Sequence, residues 1–129
     1  MKMNKIYRYS GVITPESLGC IRAEISFSQH PVYAGVRNRK LFRPDEASKG
    51  VEVLKRWIST GTFSAILIEG LSSALEAEGG RHAAEWISDH AAEPSSPLLI
   101  LIGDDDSYAF PFSTETLDSA DGLLNVLNT

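Results

Sequence analysis

Asp104, Asp105 and Asp106 follow a short apolar run, and Glu69 closes another. If both runs are parallel strands of one sheet, the four carboxylates gather at one sheet edge, where α/β folds place their ligands. Convergent carboxylates suit a hard divalent cation, and with it metal-dependent phosphoryl transfer or nuclease-like chemistry. Three acids in a row are more often a solvated hairpin tip that keeps a sheet edge from pairing. Arg37, Arg39, Lys40 and Arg43 crowd into seven residues around Asn38 and Phe42. Arginine offers phosphate a bidentate fork, although such a loop is commonly just solvated or paired internally with acids. His82, Glu85 and Asp89 recur at three and seven residues, so one helix face offers a metal two or three ligands, or simply faces water. Cys20 would need a neighbouring histidine to act as a nucleophile, and nothing local supplies one. No nucleophile elbow, phosphate-binding loop, dinucleotide fingerprint or His-Glu-x-x-His is present, which argues against the commonest enzyme classes.

Ile68-Glu69-Gly70 followed by Asp104-x-Asp106 resembles the toprim layout of nucleases and topoisomerases. That resemblance implies a magnesium site on Glu69, Asp104 and Asp106. Ser72-Ser73, placed between an apolar run and a helix, resembles the phosphoacceptor position of STAS-type regulatory modules, with Gly11-Val12-Ile13-Thr14-Pro15 as the leading strand and helix start. The plain alternative is helix capping by Ser72.

Charge is distributed unevenly. Residues 1–60 hold eleven of the twelve Lys and Arg against five acids, and residues 61–129 hold one against twelve, which the net charge of −5 conceals. The acidic half repels a polyanion over distances comparable with the Debye length of roughly 8 Å, so nucleic acid is not expected as a partner. It would instead speed capture of a protein with a basic surface. In size, acidity and lack of catalytic motifs the chain resembles bacterial immunity proteins and antitoxins, which occlude a toxin. That profile implies a non-catalytic inhibitor without cofactor or metal. Its contact surface would draw on Glu69, Glu76, Glu78, Glu85, Asp89 and Asp104, Asp105 and Asp106, with Trp86 or Tyr108 as aromatic anchor. Complementary charge blocks also leave self-association open, as a homodimer or head to tail.

The elements that must position these groups are set by periodicity. Lys5 to Ile13 is rich in β-forming residues and reads as a strand; Thr14 then caps a helix with Pro15 at its first position, continuing through Leu18, Ile21 and Ile25 but weakened by Gly19. A short strand is expected over Val32 to Val36, followed by the basic connection. Ala47, Gly50, Val51, Leu54, Trp57 and Ile58 have helical spacing, stopped by Gly61. Phe63 to Ile68 and Leu98 to Ile102 are continuous apolar runs, the mark of strands covered on both faces. Leu71 to Ala92 reads as two helical pieces broken at Gly79-Gly80. Tyr108 to Phe112 suggests an antiparallel return strand at an edge because of Pro111, and Ser113 or Thr114 would cap a last helix carrying Leu117, Ala120, Leu124 and Leu127.

The expected fold is therefore α/β (or α+β), one mixed sheet of about five strands packed by about four helices in a single domain. The longest apolar run falls far short of the roughly 20 residues of a membrane span. The start Met-Lys-Met-Asn-Lys-Ile-Tyr-Arg lacks a signal peptide's apolar region, and with one cysteine no internal disulfide forms. A cytoplasmic protein with no membrane partner is expected.

Overall fold

The structure, a computed structural model, describes residues 6–21, 23–27, 38–61, 63–77, 81–91, 93–103, 110 and 112–128. Among these residues six strands form one sheet: β1 (Ile6–Tyr9), β2 (Ala23–Ser26), β3 (Asn38–Leu41), β4 (Ala65–Glu69), β5 (Leu98–Ile102) and β6 (Glu115–Leu117), in the order β3-β2-β4-β5-β1-β6. All five strand pairs are parallel. Five α-helices accompany them: α1 (Pro15–Cys20), α2 (Ala47–Thr60), α3 (Leu71–Ala77), α4 (Arg81–Ala91) and α5 (Ala120–Leu127). The α/β class is thus as the sequence indicates.

Alternation along each strand divides the interior in two. Ile66 and Ile68 of β4, Leu99 and Leu101 of β5, and Ala23 and Ile25 of β2 pack with residues of α2, α3 and α4. Leu67, Ile100, Ile102 and Tyr9 point the other way, into a core closed by Ile21 beside α1 and Leu123 of α5. Both faces being covered, the central strands read as unbroken apolar runs. Each fully buried Leu or Ile contributes roughly 1.5–3 kcal/mol of transfer free energy, so β4 and β5 anchor the fold.

Local signals explain most boundaries. The Thr14 hydroxyl accepts the Ser17 N–H at 3.3 Å with Pro15 behind it, and Gly61 ends α2 in the left-handed region at φ 62°. Four expectations are corrected. The first helix stops at Cys20 with Ile21 as its extended C-cap, and Ile25 belongs to β2, where it alternates with Glu24 and Ser26 rather than adding a further turn. The basic stretch read as a connection contains β3, paired alongside β2; the strand expected at Val32 to Val36 lies outside the described residues. The antiparallel return expected at Tyr108 to Phe112 does not form among the described residues. Phe110 and Phe112 lie outside any strand and pack on the α2–α4 face, and the chain crosses over β1 to form β6 in parallel. The last helix consequently starts later, capped by Ser119, whose hydroxyl accepts the Gly122 N–H at 3.0 Å, and Leu117 belongs to β6.

Two helical glycines separate packing from propensity. A Cβ at Gly50 would run into Phe27 and sit 2.9 Å from Phe42 Cδ2, where those rings stack with centroids 6.0 Å apart; at Gly19 it would meet nothing within 4 Å. Alanine gains roughly 0.5–1 kcal/mol over glycine in a helix, whereas overpacking costs about 1–3 kcal/mol. Gly19→Ala should therefore stabilise the protein by up to about 1 kcal/mol and Gly50→Ala should destabilise it by a similar amount in urea unfolding. Equal midpoints for the two variants would refute the packing role of Gly50.

Candidate functional site

α4 sorts its residues cleanly. Ala83, Ala84, Ile87 and Ala91 face the core, while His82, Glu85 and Asp89 lie on the outer side. Trp86 is half-buried between them; its ring stacks on His90 with centroids 3.9 Å apart, and the Lys55 ammonium lies 5.7 Å from the indole centroid. His90 Nδ1 lies 2.9 Å from the Trp86 carbonyl oxygen, which fixes the pair. On α3, Leu71, Ala74 and Leu75 are buried and Glu76 is exposed. Glu76, Glu85, Asp89 and Glu93 are exposed on this helical layer. Within residues 43–55, ion pairs join Arg43 to Asp45 and Glu46 and Lys55 to Glu52.

Glu69 does not join that flank. It ends β4 at 8% exposure and by strand alternation points away from α3 and α4, onto the side of Leu67. Its backbone carbonyl accepts the Phe27 N–H at 2.8 Å. Glu78, Asp104, Asp105, Asp106 and Tyr108 lie outside the described residues. Because β4 and β5 are parallel and Glu69 stands opposite Ile102, Glu69 and the segment leaving β5 do emerge at one edge. Gly103, at φ 67°, brings its backbone against Glu69, whose Cγ would lie 3.1 Å from a Cβ there. Among the described residues no three His, Cys, Asp or Glu side chains gather to hold a metal ion. The Cys20 thiol lies 3.5 Å from Asn128 Oδ1, a contact between the ends of α1 and α5. Ser72 is buried within α3 and Ser73 is exposed.

A scan against protein-family models and a search of curated proteins both return no match. The site must be read from its own geometry.

That geometry holds a feature the sequence reading missed. A cleft of about 430 Å³ opens at the carboxyl ends of β1 and β5, lined by Arg8, Tyr9, Ser10, Leu101, Gly103 and Thr116 among others. Chain leaving β1 packs through α1 on one face; chain leaving β5 carries Phe112 to the other. Their divergence is a topological switch point, where parallel sheets place small ligands. Arg8 and Thr116 are ladder partners and share a face, and the Arg8 guanidinium lies 5.7 Å from the Phe110 ring centroid. The available signal was a cation inside the apolar strand Ile6–Tyr9 with Ser10-Gly11 after it; only the strand order shows that β1 lies beside β5.

On the opposite face of β1 from Arg8, burial pushes the Tyr7 phenol above its ordinary 10.0, and the Glu115 carboxylate opposite adds to the effect. As pH rises through 10, the unfolded chain loses this proton while the folded one keeps it. This phenol's contribution to stability is therefore full below pH 10 and lost above it. Glu115→Gln should narrow that loss in thermal melts taken between about pH 9 and 11, since it removes the smaller of the two causes. An unchanged slope would mean that Glu115 does not act on Tyr7.

Proposed function

We propose that the chain is a non-catalytic protein-binding module of the immunity or antitoxin type. On this reading it is cytoplasmic and uses the α3–α4 flank to occlude a basic protein. The observation that carries the reading is the outward presentation of Glu85 and Asp89 beside the half-buried Trp86 on a rigid helix. Aromatic side chains ringed by charge are the usual anchors of an interface, and like-signed acids raise the rate of encounter with a cation-rich surface. Among the described residues, Arg43 and Lys55 pair with acids of their own half. No helix among the described residues is long and apolar enough to cross a membrane, and the charge balance disfavours nucleic acid.

The test is capture of the partner from the native cell, followed by association rates against salt. Replacing Glu85 and Asp89 with lysine should slow association by about tenfold at low ionic strength and much less at high salt. Association that is indifferent to both salt and these substitutions would remove the proposal.

A second reading, metal-dependent phosphoryl chemistry at Glu69 with Asp104 and Asp106, is favoured by one observation. Parallel β4 and β5 bring Glu69 to the edge from which the acidic segment departs, with the Arg8 cleft adjacent. Calorimetry with Mg²⁺ or Mn²⁺ decides it: binding that weakens at least about tenfold in Glu69→Gln supports the site, and no heat at millimolar metal ends it.

A further inference from the structure

Among the described residues, the two edge strands of the sheet carry opposite charge. β3 is the edge at one side, and Asn38, Arg39, Lys40 and Leu41 are all exposed. β6 is the edge at the other, with Glu115 and Thr116 exposed and Leu117 half-buried. An exposed edge strand offers a row of backbone donors and acceptors to any strand that matches it, and natural sheets commonly guard such edges with charge. Guarding by a single sign repels every copy; opposite signs at the two edges do the reverse. Leu41, at 57% exposure, is also one of two exposed large apolar side chains among the described residues, which a purely defensive edge does not explain.

We propose that β3 of one copy pairs in parallel with β6 of the next, so that the sheet continues head to tail. The register is set by the observed ladders. Arg39 stands opposite Glu24 and Leu41 opposite Ser26; Glu115 stands opposite Tyr7 and Leu117 opposite Tyr9. Ladder partners project to the same face. Tyr7, Tyr9 and Leu117 belong to the α1–α5 core, whereas Ala23 and Ile25, which alternate with Glu24 and Ser26, belong to the opposite one. Arg39, Leu41, Glu115 and Leu117 therefore all project on the α1–α5 side. With Arg39 opposite Glu115, Lys40 falls opposite Thr116 and Leu41 opposite Leu117, so a charge pair and an apolar pair form together on one continuous face. A slip of one residue sends every side chain to the wrong face.

The occupant is a second copy because the complement in charge, strand direction and facing lies on the same chain. Such an interface is heterologous, so a dimer leaves one of each edge unmatched and growth continues past it. Four residues against three make each contact weak, and association is expected only at high concentration. The surface is separate from the α4 flank, so the two proposals fail independently.

Sedimentation equilibrium of the full chain from about 10 µM to about 1 mM at low salt tests this. The weight-average mass should climb past the dimer and fall back when salt is raised. Arg39→Glu and Glu115→Lys should each lower the association constant at least about tenfold. An equimolar mixture of the two should restore it, since each variant supplies the edge that the other lacks. Arg39 neighbours the buried Glu24, so folding of its variant is checked by circular dichroism, and Leu41→Asp provides the same loss independently. A monomer mass at 1 mM, a plateau at the dimer, or association indifferent to all three substitutions would overturn the proposal. So would a polyglutamate peptide that binds a protein itself monomeric, which would assign β3 to a foreign acidic strand.

Discussion

Parallel pairing throughout the sheet is the constraint on which the remaining architecture depends. A parallel neighbour is reached only by carrying the chain back across a face, so every strand-to-strand connection becomes a layer. Here the steps through α2 and through α3 with α4 run one way across one face, and the step through α1 runs the other way across the opposite face. Both therefore have the same hand, as the twist of strands requires. Ile66, Leu67, Ile68, Leu99 and Ile100 are fully buried because helices cover both sides of them. The same constraint points the carboxyl ends to one edge, which is why Gly103 comes near Glu69 and shares a cleft with Ser10 despite their separation in sequence.

The carboxyl edge is tied as well as aligned. Gly70 N–H donates to the Ile102 carbonyl at 3.0 Å, Phe27 N–H to that of Glu69 at 2.8 Å, and Phe42 N–H to that of Ser26 at 2.9 Å. Strand ends that would otherwise leave orphan donors are thus stitched to their neighbours just where the chain turns away. The Tyr9 hydroxyl donates to the Val12 carbonyl at 3.0 Å and braces the turn at Gly11 in the same manner.

What could be read from the sequence divides along physical lines. α2, β4, β5 and the split between α3 and α4 were legible because each carries a strong local signal: apolar spacing with a left-handed glycine stop, or an unbroken apolar run between glycines. β2 was hidden because Ile21 and Ile25 satisfy a helical spacing as well as a strand alternation, and burial of Glu24 and Ser26 at 0% exposure contradicts any simple amphipathic pattern. β3 and β6 were hidden for a different reason. Edge strands that face water keep polar sequences such as Asn-Arg-Lys-Leu and Glu-Thr-Leu, and only their neighbours' backbones reveal them as strands. For the candidate site, the outward acids of α4 were legible from periodicity, whereas the Arg8 cleft depends on β1 inserting between β5 and β6, a fact of strand order that no local window contains.

The charge split along the chain acquires a spatial meaning only through this order. A chain whose halves interleaved strand by strand would blend its basic and acidic blocks into a neutral sheet. Here β1, from the basic half, does insert among the acidic-half strands, yet it contributes only Arg8, which lies in a cleft beneath Phe110. The other described strands of the basic half, β2 and β3, stay together at one side and end in Arg39, Lys40 and the nearby Arg43; β6 and α5 close the opposite side with Glu115, Asp118 and Asp121. Sequence order and strand order thus agree at the two extremes of the sheet, which is where side chains meet solvent and other molecules. The polarity along the strand-to-strand direction is consequently a property of the topology as much as of the composition, and it would be lost in any fold that brought the edge strands β3 and β6 side by side.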